Sequence, residues 1–226
     1  MLRTVMVVSL LGMGLLVGPP AAPVARAGPE TCPPTCDRIP SAAWPAPWSL
    51  PLYSTYRWPI LSALDRPAPG AQFRFEELCR TPRRPGDPRD YAVAAKRVID
   101  QPAGQWQLQA QIVHWRGETW RGGELALDVF DAAAEALQAC QRGNPAYSPS
   151  ITTHTSTRLA AVLSGPQVVH WYLIADPASS TLSELALWTE AVPGDEPAVA
   201  WPVVPDEAVF DALATPLCGA YLGSCG

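Results

Sequence analysis

The chain has little histidine, almost no lysine and no signature motif of a common enzyme class. His114, His154 and His170 are its only histidines, and Lys96 is its only lysine in 226 residues. No H-E-x-x-H pair, G-x-S-x-G elbow, P-loop or dinucleotide glycine pattern occurs. None of the chemistries those motifs carry is therefore written in the sequence. The closest cysteines, Cys32 and Cys36, are separated by three residues, which excludes a thioredoxin-type C-x-x-C. Paired zinc knuckles are missing as well. The three histidines fall on segments that read as strands, where neighbouring strands could gather them, but no spacing requires a metal. We expect neither metal nor cofactor. Acidic residues such as Asp128 and Glu184 are plentiful, yet no carboxylate pair for glycoside hydrolysis stands out by spacing.

Positive charge is also scarce. Sixteen Lys and Arg face 21 Asp and Glu, a formal net charge of −5. A basic footprint for nucleic acid or anionic lipid is absent. The local group Arg80, Arg83, Arg84 and Arg89 lies among prolines and acids and reads as a solvated loop. Apart from the first residues, no apolar run approaches the ~20 residues of a membrane-spanning helix.

What is present begins with those first residues. Met1-Leu2-Arg3 leads into an uncharged run from Thr4 to Val17, broken by Gly18-Pro19-Pro20 and followed by Ala25-Arg26-Ala27. A basic start, a short apolar core and a small-residue motif make the pattern of a cleavable export signal. Cleavage after Ala27 removes Arg3 and Arg26, leaving 14 basic and 21 acidic residues. Cys32 lies five residues beyond the cut, too far to take a lipid. The mature chain is expected to be secreted or associated with the cell envelope, without a stable membrane span.

All six cysteines follow the cut, and an even count in an oxidising compartment implies disulfides. Six cysteines allow 15 connectivities. Local pairing of Cys32 with Cys36 and of Cys218 with Cys225 would leave Cys79 with Cys140.

The chain divides into the signal (residues 1–27), a proline- and aromatic-rich arm (28–80) and a folded domain (81–226). The arm carries Trp44, Trp48, Tyr53 and Trp58 between prolines. It cannot form a long helix or central strand, and is expected to lie on the domain. Alternatively, it presents its aromatics to a partner. Asp90 before Tyr91, Ala94, Ala95, Val98 and Ile99 suits a short capped helix, although Val93 and Val98 would also suit a strand. Gln105, Gln107, Gln109 and Gln111 alternate with Trp106, Leu108, Ala110 and Ile112, the pattern of a strand with its glutamines turned from the core. Gly117, Gly122 and Gly123 read as a long turn leading to a second strand over residues 124–129. Asp131 then caps an Ala-rich helix ending at Gly143, with Cys140 on its buried face. Strands follow over residues 152–157, 159–163, 168–174 and 182–192, the last with mixed periodicity. The run from Val168 to Ile174 is apolar on both faces, as in a central strand covered on both sides. Asp206 starts a final helix with Val209, Phe210 and Leu213 inward. The short connections imply an α+β fold: a mostly antiparallel sheet with packed helices, stapled by disulfides and preceded by the arm.

Val129 to Cys140, a strand running into an Ala-rich helix that ends in cysteine, followed by apolar strands and a cysteine-bearing C-terminal helix, resembles small exported domains of mycobacteria and related actinobacteria. Extracellular sensor domains of some membrane serine/threonine kinases and some cell-envelope lipoproteins are among these. The resemblance implies an antiparallel sheet with packed helices around a cleft. Such a domain would bind a small ligand or envelope component in an aromatic-lined groove, without catalysis. Trp115, Trp120, Trp171 and His170 are the residues expected to line it. A secreted hydrolase, with His114 and His170 as its first candidates, and a structural or host-facing protein acting through the arm are the alternatives.

Overall fold

The computed structural model describes residues 38–64, 66–68, 70–190 and 197–221. The expected signal, Cys32, Cys36 and Cys225 lie outside the described residues. In chain order the elements are the short helix α1 (Tyr53–Tyr56), the two-residue strand β1 (Arg66–Pro67), helix α2 (Arg74–Cys79), strands β2 (Val93–Ile99) and β3 (Gln107–His114), helices α3 (Thr119–Gln138) and α4 (Cys140–Gly143), strands β4 (Ser148–His154), β5 (Arg158–Ser164), β6 (Gln167–Asp176) and β7 (Thr181–Glu190), and helix α5 (Asp206–Ala220). The strands form one sheet in the order β1-β2-β3-β7-β6-β5-β4. Every pairing in it is antiparallel. The fold is α+β, as the short connections imply.

The sheet is covered on both faces because side chains alternate across each strand. Leu108, Ala110 and Ile112 of β3, Leu185 and Leu187 of β7, and Tyr172 and Ile174 of β6 share one core with α5 and with Trp44, Leu50 and Trp58 of the arm. Val113, Leu182, Ala186, Val169, Trp171 and Leu173 share the other with α2 and α3. The arm is held in a defined conformation. Leu52 and Arg57, on either side of α1, both adopt left-handed backbone (φ 65° and 48°), a cost of roughly 1–2 kcal/mol each for residues with a Cβ. The Trp58 indole donates to the Pro51 carbonyl at 2.7 Å, closing that turn.

Two local expectations are corrected. The segment after Asp90 is the strand β2, because its backbone pairs with β3 along its whole length, from Val93 opposite His114 to Ile99 opposite Leu108. A 3₁₀ turn at Pro88–Tyr91 takes the place of the expected helix start. Residues 124–129 form no second strand of a hairpin; they belong to α3, which begins at Thr119, twelve residues before Asp131. Gly122 and Gly123 read as a turn but serve close packing. A Cβ on Gly122 would stand 2.5 Å from Ser180 Oγ, and one on Gly123 2.6 Å from the Pro177 carbonyl oxygen. The glycines let the first turns of α3 lie directly on the β6–β7 turn. Residues 181–190 form the strand expected there, despite their mixed periodicity. Buried on both faces, it pairs with β3 and with β6.

Cys79 at the end of α2 is bonded to Cys140 at the start of α4, with 4.8 Å between their Cα atoms. Cys218, on the solvent side of α5, is also disulfide-bonded, and its expected partner Cys225 lies outside the described residues.

Replacing Cys79 and Cys140 together by alanine reopens a 61-residue separation and should cost about 4 kcal/mol in the chain-entropy account. A urea unfolding midpoint equal to that of the intact protein would contradict this. Gly123→Ala should destabilise by about 1–3 kcal/mol through overpacking, although helix propensity alone favours alanine by about 1 kcal/mol. A gain in melting temperature would show that α3 does not rest on the Pro177 carbonyl.

Candidate functional site

Two features concentrate polar or aromatic side chains: a carboxyl buried in the sheet, and an open groove between the arm and α5. The carboxyl belongs to Glu184 on β7, which is 1 % exposed. Gln111 on β3 is its direct cross-strand partner. Gln109 and Gln111 share its face, so their amides reach its Oε2 at 3.3 and 3.4 Å. The Trp171 indole on β6 donates to Oε1 at 2.7 Å, and the backbone N–H of Arg74, the first residue of α2, donates to the same oxygen at 2.6 Å. The glutamines expected to face outward at these two positions are thus buried beneath α2. They supply donors to a carboxyl that an apolar face could not hold.

These donors are all neutral. Burial raises the Glu184 carboxyl to about 7; the Arg74 N–H, the Trp171 indole, Lys96 of β2 and the Gln109 amide oppose the rise only in part. The nearest cationic heads are otherwise engaged. Arg74 pairs with Glu77 and lies 4.4 Å over the Trp188 ring, and Lys96 pairs with Glu77. A second buried carboxylate behaves in the opposite way. Arg89 is buried and bridges Asp87 (2.7 Å) and Glu76 (2.8 Å). Burial would push Asp87 up, but hydrogen bonds from the Arg89 side chain and backbone outweigh it and hold the carboxyl far below its ordinary range. Glu76 also reaches back to the Phe73 N–H at 2.8 Å, fixing the start of α2. Both clusters position α2; Glu184 is closed off from solvent, whereas Glu76, Asp87 and Arg89, though buried, border a cleft.

A cleft of about 380 Å³ lies between the 81–84 loop and α3. Three of the four arginines that line it are already matched; the fourth is Arg142. Arg83 pairs with Asp87 at 3.3 Å and Asp90 at 3.0 Å, Arg84 pairs with Asp128, and Arg89 is bound as above.

The groove between the arm and α5 is larger, about 560 Å³, and is lined by Trp44, Trp48 and Ser49 on one side and Asp211, Thr215 and Pro216 on the other, with alanines between. Proline chemistry builds the arm's wall. Pro47 opens a single 3₁₀ turn, Pro47–Ser49, and the residue before it, Ala46, is extended, as a residue preceding proline prefers. That turn holds Trp48 out over the groove, 71 % exposed, while Trp44 beneath it is 6 % exposed. The opposite wall is α5, packed on the arm's first turn at Ser41–Ala43 and on β6.

The residues expected to line a ligand site do not gather. Trp115 and Trp171 are buried on the α2–α3 face with their indole N–H groups bonded to the Pro88 carbonyl and to Glu184. Trp120 stands exposed in the first turn of α3, donating to Glu118 at 2.8 Å. His170 lies on the opposite face, stacked on Trp201 with ring centroids 3.6 Å apart. His114 bonds Thr181 Oγ1 at 3.1 Å and stacks on Tyr221. Burial lowers both histidines to about 4. Through β7, His170 is level with Leu108 of β3, which puts His114 six residues, about 20 Å, further along the sheet. Among the described residues, no three His, Cys, Asp or Glu side chains could hold a metal ion.

Glu184 generates a pH prediction. A carboxyl whose folded value is raised to about 7 holds its proton in the native state above the pH at which the unfolded chain releases it. Its contribution is present below about 4.5 and is lost as pH rises through 7. His114 and His170, lowered by burial, act with the opposite sign as pH falls below 6.5. The comparison with Glu184→Gln isolates the carboxyl. From pH 5 to pH 8 the wild type should lose stability relative to that variant by on the order of 3 kcal/mol. Parallel urea profiles for the two proteins would contradict a proton on Glu184.

No protein-family model matches the chain and no curated protein is significantly similar to it, so the groove and the Glu184 cluster are the features from which a function follows.

Proposed function

We propose that this chain is an exported, non-catalytic domain that binds a small ligand or a cell-envelope component in the groove between the arm and α5. One observation carries the reading: Trp48 is presented to solvent by a proline-fixed turn at the lip of a groove of about 560 Å³. A bare indole is unfavourable in water, and the same turn could have been made with a polar residue. Tryptophan held on a rigid turn gives large contact area with little ordering cost on binding.

The arm then has a role that combines the two expected for it. Trp44 and Trp58 are buried and attach it to the sheet, while Trp48 faces outward. Export supports the reading indirectly. The Cys79–Cys140 bond suits an oxidising compartment, and among the described residues no helix is long and apolar enough to cross a membrane.

A thermal-shift screen of the mature protein with envelope lipids, glycans and nucleotides tests this. A ligand at a hundred times its Kd should stabilise by about 2.7 kcal/mol, a rise of roughly 5 °C or more. Trp48→Ala should abolish that rise without lowering the melting temperature of the free protein. Stabilisation that persists in Trp48→Ala would move the site elsewhere, and no stabilisation by any class would remove the binding reading.

A further inference from the structure

The groove's polar groups share one property. Ser49 Oγ donates its proton to the Ala46 carbonyl at 2.7 Å, and Thr215 Oγ1 donates to the Asp211 carbonyl at 2.7 Å. Both hydroxyls therefore face a ligand only through their lone pairs. Pro216 sits inside α5 and has no N–H to give the carbonyl of Ala212 four residues before it, so that carbonyl loses its ordinary partner on the groove wall. The Trp44 Nε1 is buried and has no hydrogen-bond partner among the described residues. The remaining charged group is the Asp211 carboxylate, 69 % exposed, and Arg158 touches it only at 3.4 Å while pairing more closely with Glu207. Among the described residues, no lysine, arginine or histidine lines the groove.

An exposed indole face, a carboxylate and several committed acceptors give the apolar groove a negative rather than a positive polar lining. The ring face carries the negative end of its quadrupole, and the mature chain is acidic overall. We infer that the groove takes a small organic cation, an ammonium with apolar substituents, its charge over Trp48 and beside Asp211 and its substituents against the alanines and Pro216. This inference rests on the reading of the groove as a ligand site. Anions are excluded by the carboxylate and the absence of lining cations. A sugar needs donors from its site as well as acceptors, and among the described residues the lining side chains offer only the exposed Trp48 N–H and the buried Trp44 N–H.

The test is a titration of the full mature protein, followed through the Trp48 indole N–H resonance at constant ionic strength. Choline is the cation probe, with 3,3-dimethyl-1-butanol as its neutral isostere, acetate as the anion and cellobiose as the glycan. Choline should move the resonance saturably. The neutral isostere should bind about fivefold more weakly, in the range of an exposed cation–π contact, and acetate and cellobiose should leave it unmoved. Asp211→Asn should weaken choline by about fivefold at unchanged melting temperature, since Arg158 keeps Glu207. If the alcohol or cellobiose binds as well as choline, the cation is overturned and the groove remains a binding site. If phosphatidylcholine vesicles move the resonance and choline does not, the free cation is overturned in favour of a lipid surface. If no probe moves it and the wider ligand screen shows no stabilisation dependent on Trp48, both the cation and the groove reading fall.

Discussion

The Glu184 carboxyl sits where β3, β6 and β7 meet the first residue of α2, and its burial dictates what surrounds it. A carboxyl in that position needs donors. The two glutamines of β3, the Trp171 indole and the Arg74 N–H supply them from three separate elements. Each partner is thereby fixed in register. A slip of one residue in β3 would carry its glutamines to the other face and leave the carboxyl unserved. The position of α2 follows from this bond, and with it the position of Cys79 and the bridge to α4.

The two buried acidic clusters show how the nature of a neighbour decides the charge of a carboxyl. Asp87 meets a guanidinium at 2.7 Å and is held ionised. Glu184 meets amides and an indole, which stabilise the anion less than burial penalises it, and is pushed up to about 7. Both clusters lie under the same helix. Arg89 also stands 4.7 Å over the Phe73 ring, which joins the ion pairs to the apolar packing of α2 against Trp171.

The opposite face is built by different means. There the arm supplies aromatic groups, α5 supplies a helical ridge, and the sheet between them is largely apolar. Proline stiffens the arm so that it can cover the sheet without a regular element of its own, and the same stiffness holds Trp48 away from the surface. The polar stitching on one face and the rigid, partly open cover on the other are consistent with a division between structural anchoring and ligand contact.

Much of the architecture was legible because local rules agreed with tertiary ones. Alternation in residues 105–112 and apolarity on both faces of residues 168–174 named β3 and β6, and helical spacing put Cys140 inward, where it meets Cys79. The misreadings have a common cause. Gly122 and Gly123 punctuate a sequence whether they turn the chain or admit a neighbour, and only the Pro177 carbonyl beside Gly123 distinguishes the two. The glutamines of β3 read as solvent-facing because period-two alternation assigns polar residues to water. Their true partner, Glu184, lies 73 residues away from Gln111. Trp115 and Trp171 could not be separated from Trp48 by residue type, since exposure is a property of what packs above a side chain. The sequence by itself therefore determined the class of fold, the strand and helix order over most of its length, and the excess of negative charge, all set by near neighbours and composition. Tertiary structure alone decided which tryptophan meets solvent, which carboxyl loses its charge, and where a groove opens, because each depends on groups brought together from distant parts of the chain.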